Sequence, residues 1–155
     1  MNEEEYGDNY KEHLLEQYKL YVQLTDNTTV QRGNTNKFYI TVLSGLLAIV
    51  SLFIKNNFPN TMILIISLLG GLLCYTWYVH IKSYKQLNTG RFKVIHEVEK
   101  QLPYCCFYEE WNHLKRGNGE NYTRLTQIEQ KVPIYLGFPY LIIALYYLFE
   151  VFSIW

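Results

Sequence analysis

Two apolar runs, 38–54 and 62–81, stand on either side of the short stretch Lys55-Asn56-Asn57-Phe58-Pro59-Asn60 and constrain this chain more than anything else in it. Neither run contains Lys, Arg, Asp or Glu. At about 1.5 Å rise per residue they reach roughly 25 and 30 Å as helices, enough to cross or nearly cross the hydrocarbon core of a bilayer. The intervening stretch can turn but cannot form a domain. The two runs therefore read as a transmembrane hairpin.

A third apolar run, 132–155, follows a long polar interval. Pro133 suits a helix's first turn, and Pro139 predicts a kink near Tyr135. This run reads as a full third crossing. A re-entrant segment remains the alternative, because Pro133, Gly137 and Pro139 cluster at its start. The mean hydropathy of -0.10 resembles that of a soluble protein, but apolar residues gather in the three runs and charges lie between them. The fold class is all-α membrane protein, in four segments: an N-terminal amphipathic helix (1–37), the hairpin (38–81), a helical region (82–131) and the third span (132–155).

Residues 1–9 read as a frayed acidic end with Asn9 as a helix cap. From Tyr10, the residues Leu14, Tyr18, Tyr21, Val22 and Thr25 form an apolar stripe that needs a partner, while Lys11, Glu12, Glu16, Lys19 and Gln23 take the other face. The polar stretch 26–37 contains no Pro and reads as a helical extension of the first span, with a loop as the competing reading and Gly33 as its weakest point. Beyond the hairpin, Ile81, Tyr84, Leu87, Ile95, Val98 and Leu102 keep helical spacing. Asn88-Thr89-Gly90 interrupts that pattern as a kink or a close helix approach, and Pro103 ends it. This segment is expected to pair with the N-terminal helix. Two short helices follow, with Trp111 and Leu114 inward in the first and Leu125 and Ile128 inward in the second, separated by the turn Gly117-Asn118-Gly119. Tyr39, Tyr75, Trp77, Tyr78, Tyr135 and Trp155 sit near span ends, as interfacial aromatic belts do.

Basic residues are unevenly distributed. Lys82, Lys85, Arg91, Lys93, Lys115 and Arg116 follow the second span, whereas the hairpin tip carries only Lys55. The positive-inside rule then places 1–37 and 82–131 in the cytoplasm. The acidic start, with no apolar core after it, reads as no cleavable signal, so the first span itself directs insertion.

Within the first span, Thr41, Ser44, Gly45, Ala48 and Ser51 recur at spacings of three and four and share one face. The second span carries Ser67, Gly70, Gly71 and Cys74. In lipid such residues let helices approach closely. They pack the hairpin or a subunit interface, or else the first-span set lines a narrow pore. Glu150 is the one acid within an apolar run, either a cation-attracting ring at the outer mouth or the polar end of the span.

Catalytic signals are weak. His13, His80, His96 and His113 lack metal-ligand spacing, and Cys74, Cys105 and Cys106 make neither a metal nor a disulfide pattern. His96, Glu97 and Glu99 read as a solvated helix face. No phosphate loop, nucleophile elbow or dinucleotide fingerprint is present. An enzyme is not expected, no cofactor is called for, and zero formal net charge gives no reason to expect nucleic acid.

Several stretches carry a resemblance: His13-Leu-Leu-Glu-Gln-Tyr-Lys-Leu-Tyr-Val22, Trp77-Tyr-Val-His-Ile-Lys-Ser-Tyr-Lys-Gln-Leu-Asn88, Phe92-Lys-Val-Ile-His-Glu-Val-Glu-Lys-Gln-Leu-Pro103, Glu110-Trp111 and Leu125-Thr-Gln-Ile-Glu129. Together they resemble small bacterial inner-membrane proteins grouped as the RipA-like octameric membrane family. The resemblance implies a bacterial inner-membrane location, a ring-shaped homo-oligomer, an octamer, and a cytoplasmic vestibule. The plan of cytoplasmic helix, two-span hairpin and returning helix is also similar to two-span membrane-permeabilising antiphage effectors, from which the third span departs. The leading functional expectation is an ion-conducting or membrane-permeabilising assembly gated from the cytoplasm, a stress or antiphage effector. Its rival is a non-conducting scaffold that organises membrane lipid or recruits a cytoplasmic protein partner through its basic surface.

Overall fold

The computed structural model describes residues 3–114 and 125–153, and helix is the only regular structure among them. The order is α1 (Glu3–Tyr6), α2 (Tyr10–Lys55), α3 (Asn60–Glu99), α4 (Cys106–His113), α5 (Leu125–Glu129) and α6 (Val132–Ser153). Helices α2, α3 and the segment Leu125–Ser153 are each long and apolar enough to span a membrane.

The turn between α2 and α3 follows from its sequence. Asn57 takes the left-handed conformation (φ 54°), which Asn tolerates better than most residues. The Phe58 amide bonds the Phe53 carbonyl at 3.0 Å and the Asn57 amide bonds Ile54 at 3.2 Å. Phe58 stacks on Phe53 with ring centres 4.3 Å apart. This is the Schellman ending, with its accompanying apolar contact, and it stops α2 within one turn. Pro59 and Asn60 then start α3.

The polar stretch after Asp26 stays helical, as the extension reading expects. Its hydroxyls bond back to their own helix: Thr28 to the Leu24 carbonyl at 2.9 Å and Thr29 to Thr25 at 3.2 Å. Hydroxyls satisfied this way expose no unpaired donor, and the helix continues through them. Gly33 does not break the helix.

Packing groups the four sequence segments into two units, one of Met1–Gln31 with Tyr84–Arg124 and one of Arg32–Ser83 with Leu125–Trp155. In the first unit, the N-terminal part of α2 pairs with the C-terminal part of α3. Tyr10 donates to Gln101 at 2.6 Å, and Arg91 donates to the Leu24 carbonyl at 2.6 Å and to the Thr28 hydroxyl. Thr25, Thr28 and Ile95 are buried there, whereas Lys11, Glu12, Glu16, Lys19 and Gln23 are exposed.

The second unit is built on the apolar spans. Tyr39, Leu43, Cys74, Trp77, Ile81 and Tyr140 form its core. Tyr39 stacks on Trp77 (5.6 Å, 10°), its hydroxyl lies 3.2 Å from His80 Nδ1, and Trp77 Nε1 donates to Asn36 Oδ1 at 2.8 Å. One turn before Asn36, Arg32 pairs with Glu129 at 3.3 Å and tethers α5 to α2.

Three expectations are corrected. Tyr39 and Trp77 do not face the bilayer as belt residues but pack against each other between helices, while Tyr75 and Tyr135 are exposed as a belt requires. Asn88-Thr89-Gly90 does not interrupt α3. Thr89 bonds the Lys85 carbonyl at 2.8 Å, and the space around Gly90 is open, so it marks no close approach within the protomer. Leu125 and Ile128 point outward, because Thr126 and Glu129 of α5 are the ones that meet Arg32. Helix α6 contains Pro139 and continues through it.

Candidate functional site

The last residue of α3, Glu99, has a fully buried side chain (0 % exposed). Buried carboxylates persist only when their oxygens are bonded, and these are. The amides of Phe107 and Tyr108 donate to them at 2.8 and 3.2 Å, the Tyr18 hydroxyl at 3.1 Å, and His96 Nδ1 lies at 3.3 Å. Cys105, the N-cap of α4, makes no side-chain cap bond. Glu99 supplies the missing cap from the preceding helix, where both the orphan amides and the helix dipole favour an anion.

Three helices thus converge on one carboxylate. Two aromatic pairs reinforce the junction, Phe92 with Phe107 at 5.7 Å and His96 with Tyr108 at 5.8 Å. Burial by itself disfavours the charged form of Glu99. The Phe107 amide, His96, Tyr18 and the Tyr108 amide outweigh burial and hold its pKa below the usual carboxylate range. Tyr18 is pushed up to about 12, first by burial and then by its bond to Glu99 and that residue's charge. Beside this junction, an open groove of about 550 Å³ is lined by Tyr18, Val22, Thr25, Asp26, Phe92 and Phe107.

Reading His96, Glu97 and Glu99 as a solvated face is therefore right for one residue and wrong for another. Glu97 is exposed and pairs with Lys100 at 2.8 Å. Glu99 sits one turn beyond Ile95, on the buried side. That spacing of four was the signal that could have found it.

In the second unit, Gly70 and Cys74 of α3 seat α6. A Cβ at Gly70 would collide with the Tyr140 ring, and a Cβ at Gly137 would stand 3.4 Å from Cys74 Cβ. The Tyr140 hydroxyl passes beyond Gly70 to the Leu43 carbonyl, so one side chain of α6 ties all three spans together. Ser67 is buried and bonds the Ile63 carbonyl at 2.8 Å, Cys74 is buried and Gly71 half-buried.

The first-span set behaves differently. Thr41, Ser44, Gly45, Ala48 and Ser51 are all exposed in the protomer. Tyr39, Leu43 and Val50 hold the buried side of α2, and the small residues lie on the side away from it. Ser51 bonds the Leu47 carbonyl at 2.9 Å. Elsewhere, Lys82, Lys85 and Lys93 are exposed, whereas Arg91 is turned onto α2. Glu150 is half-buried near the end of α6. Lys115, Arg116, the 117–119 turn and Trp155 lie outside the described residues. Among the described residues, no group of three or more His, Cys, Asp or Glu is placed to hold a metal.

A family model described as "Octameric membrane protein family (8xMP)" matches residues 15–149. No curated protein and no solved structure matches.

Proposed function

The chain belongs to the octameric membrane protein family, and on that premise we propose that eight copies form a ring whose first spans line a narrow, weakly polar conducting path. The observation that carries this reading is the uncovered face of Thr41, Ser44, Gly45, Ala48 and Ser51. Ser67, Gly70 and Cys74 of α3 are buried within the protomer, so the small residues of α2 form the exposed set left for a neighbouring copy or a water-filled axis. Hydroxyls and small side chains suit a pore that binds ions weakly enough to release them.

The exposed Lys82, Lys85 and Lys93 support an orientation in which the first unit lies in the cytoplasm of a bacterium and the hairpin tip outside. The Glu99 junction is the gating element of this reading. It binds α2, α3 and α4 together, and α2 and α3 are the same helices that continue into the spans. The assembly is read as conducting, not enzymatic.

Cysteine accessibility tests the assignment. With the native cysteines replaced, Ala48→Cys and Ser44→Cys should react with a charged, membrane-impermeant thiol reagent, and Ile49→Cys, one position round the helix, should not. Protection of all three in an intact octamer would favour the non-conducting scaffold.

A further inference from the structure

Taking α3 and α6 as membrane spans, we propose that the cleft between them binds one anionic phospholipid per protomer, with an acyl chain in the cleft and the phosphate held by Lys82 and Lys131. The cleft measures about 290 Å³ and is lined by Cys74, Tyr75 and Tyr78 of α3 and Pro133, Ile134 and Gly137 of α6. Gly137 opens it, since the side chain missing there would otherwise project toward Cys74. The rim faces outward, with Tyr75 67 % and Ile134 60 % exposed. Its lining is apolar apart from the tyrosine hydroxyls, so hydrocarbon fills it better than water does.

The charge at one end identifies the ligand's headgroup. Gly70 meets Tyr140 and Cys74 meets Gly137, so α3 and α6 run antiparallel. Lys82 stands one turn beyond Tyr78, and Lys131 one turn before Ile134. Both lysines therefore lie at the same end of the cleft. Both are exposed, and no described residue pairs with either. Glu129, the acid nearest Lys131 in sequence, is held by Arg32 at 3.3 Å. Two free ammonium groups just past an apolar slot match a phosphodiester above its acyl chain. The apolar helix of a second copy would fill the slot but leave both charges unanswered.

The test is native mass spectrometry of the detergent-purified assembly with added palmitoyl-oleoyl phosphatidylglycerol or phosphatidylcholine, which share their chains. Phosphatidylglycerol should be retained at one per protomer and roughly tenfold more strongly, as two lysines at a membrane surface allow. Lys82→Glu with Lys131→Glu should erase that preference while both lipids still bind. Gly137→Leu should abolish retention of both, and Ile134→Trp, which narrows the mouth from its exposed side, should do the same if Gly137→Leu does not fold. Equal retention by the unaltered protein, a preference that survives the charge reversals, or retention that survives filling of the cleft would each overturn the site. So would a photoreactive residue at position 134 that joins a neighbouring copy instead of lipid. None of these readouts depends on ion conduction, so the site and the pore fail separately.

Discussion

The ring of Tyr140 occupies the space that a side chain at Gly70 would need, and the Tyr140 hydroxyl reaches past it to the Leu43 carbonyl. A glycine in the middle of α3 is thus the condition for α6 to bond with α2. Gly70→Ala should force the buried ring aside and cost about 1–3 kcal/mol. Tyr140→Phe should cost about 1 kcal/mol through the lost hydrogen bond. Because the two residues touch, Gly70→Ala combined with Tyr140→Ala should destabilise by less than the sum of its parts. Melting of the detergent-solubilised protein measures all three.

Glu99 is the cap of α4, and its removal leaves two amides and a hydroxyl without their acceptor. Glu99→Ala should cost about 2–4 kcal/mol, and Glu99→Gln, which keeps one acceptor oxygen and the shape, distinctly less. Amide hydrogen exchange at Phe107 and Tyr108 should report the loss before the rest of the chain responds.

The lowered pKa of Glu99 gives this junction an acid limit. A carboxyl whose folded pKa lies below its unfolded value, about 4.3, contributes stability that is complete above that value. The contribution disappears as pH falls through the folded pKa. Protection of the α4 amides should therefore hold at neutral pH and collapse below the ordinary carboxylate range, and Glu99→Gln should flatten the acid dependence.

Tyr18 sets an alkaline limit of opposite sign. Its folded pKa of about 12 lies above the unfolded value near 10. Its contribution is complete below about pH 10 and is lost between there and about 12. Tyr18→Phe should remove that dependence at the cost of about 1 kcal/mol at neutral pH, as denaturation curves at pH 8 and 11 would measure.

The membrane spans were legible because they are written in single residues: two uncharged runs, and Asn57 and Pro59 at a turn too short for anything but a hairpin. The N-terminal stripe from Tyr10 to Thr25 was legible through helical period, and its partner through the matching stripe after Ile81. What escaped depends on a residue's neighbours from elsewhere in the chain. Glu99 has the composition of a surface residue and becomes buried because α4 turns back onto it. Tyr39 and Trp77 have the composition of belt residues, and they turn inward where Trp77 donates to Asn36 and the Tyr39 hydroxyl meets His80. Leu125 and Ile128 point outward because an ion pair, Arg32 with Glu129, fixes the roll of a helix only five residues long. The face carrying Ala48 could be found in the sequence. That it stays uncovered could be found only once the partner of Gly70 was known to be Tyr140 of α6.

The measurement that bears most directly on the pore is ion flux from liposomes holding the purified assembly, run side by side with Ala48→Trp. The account predicts flux from the unaltered protein and its loss in the Trp variant, with the subunit count unchanged by native mass. Flux that persists through an intact Ala48→Trp ring, or no flux from the unaltered ring, even after Glu99→Ala releases the junction, would contradict it.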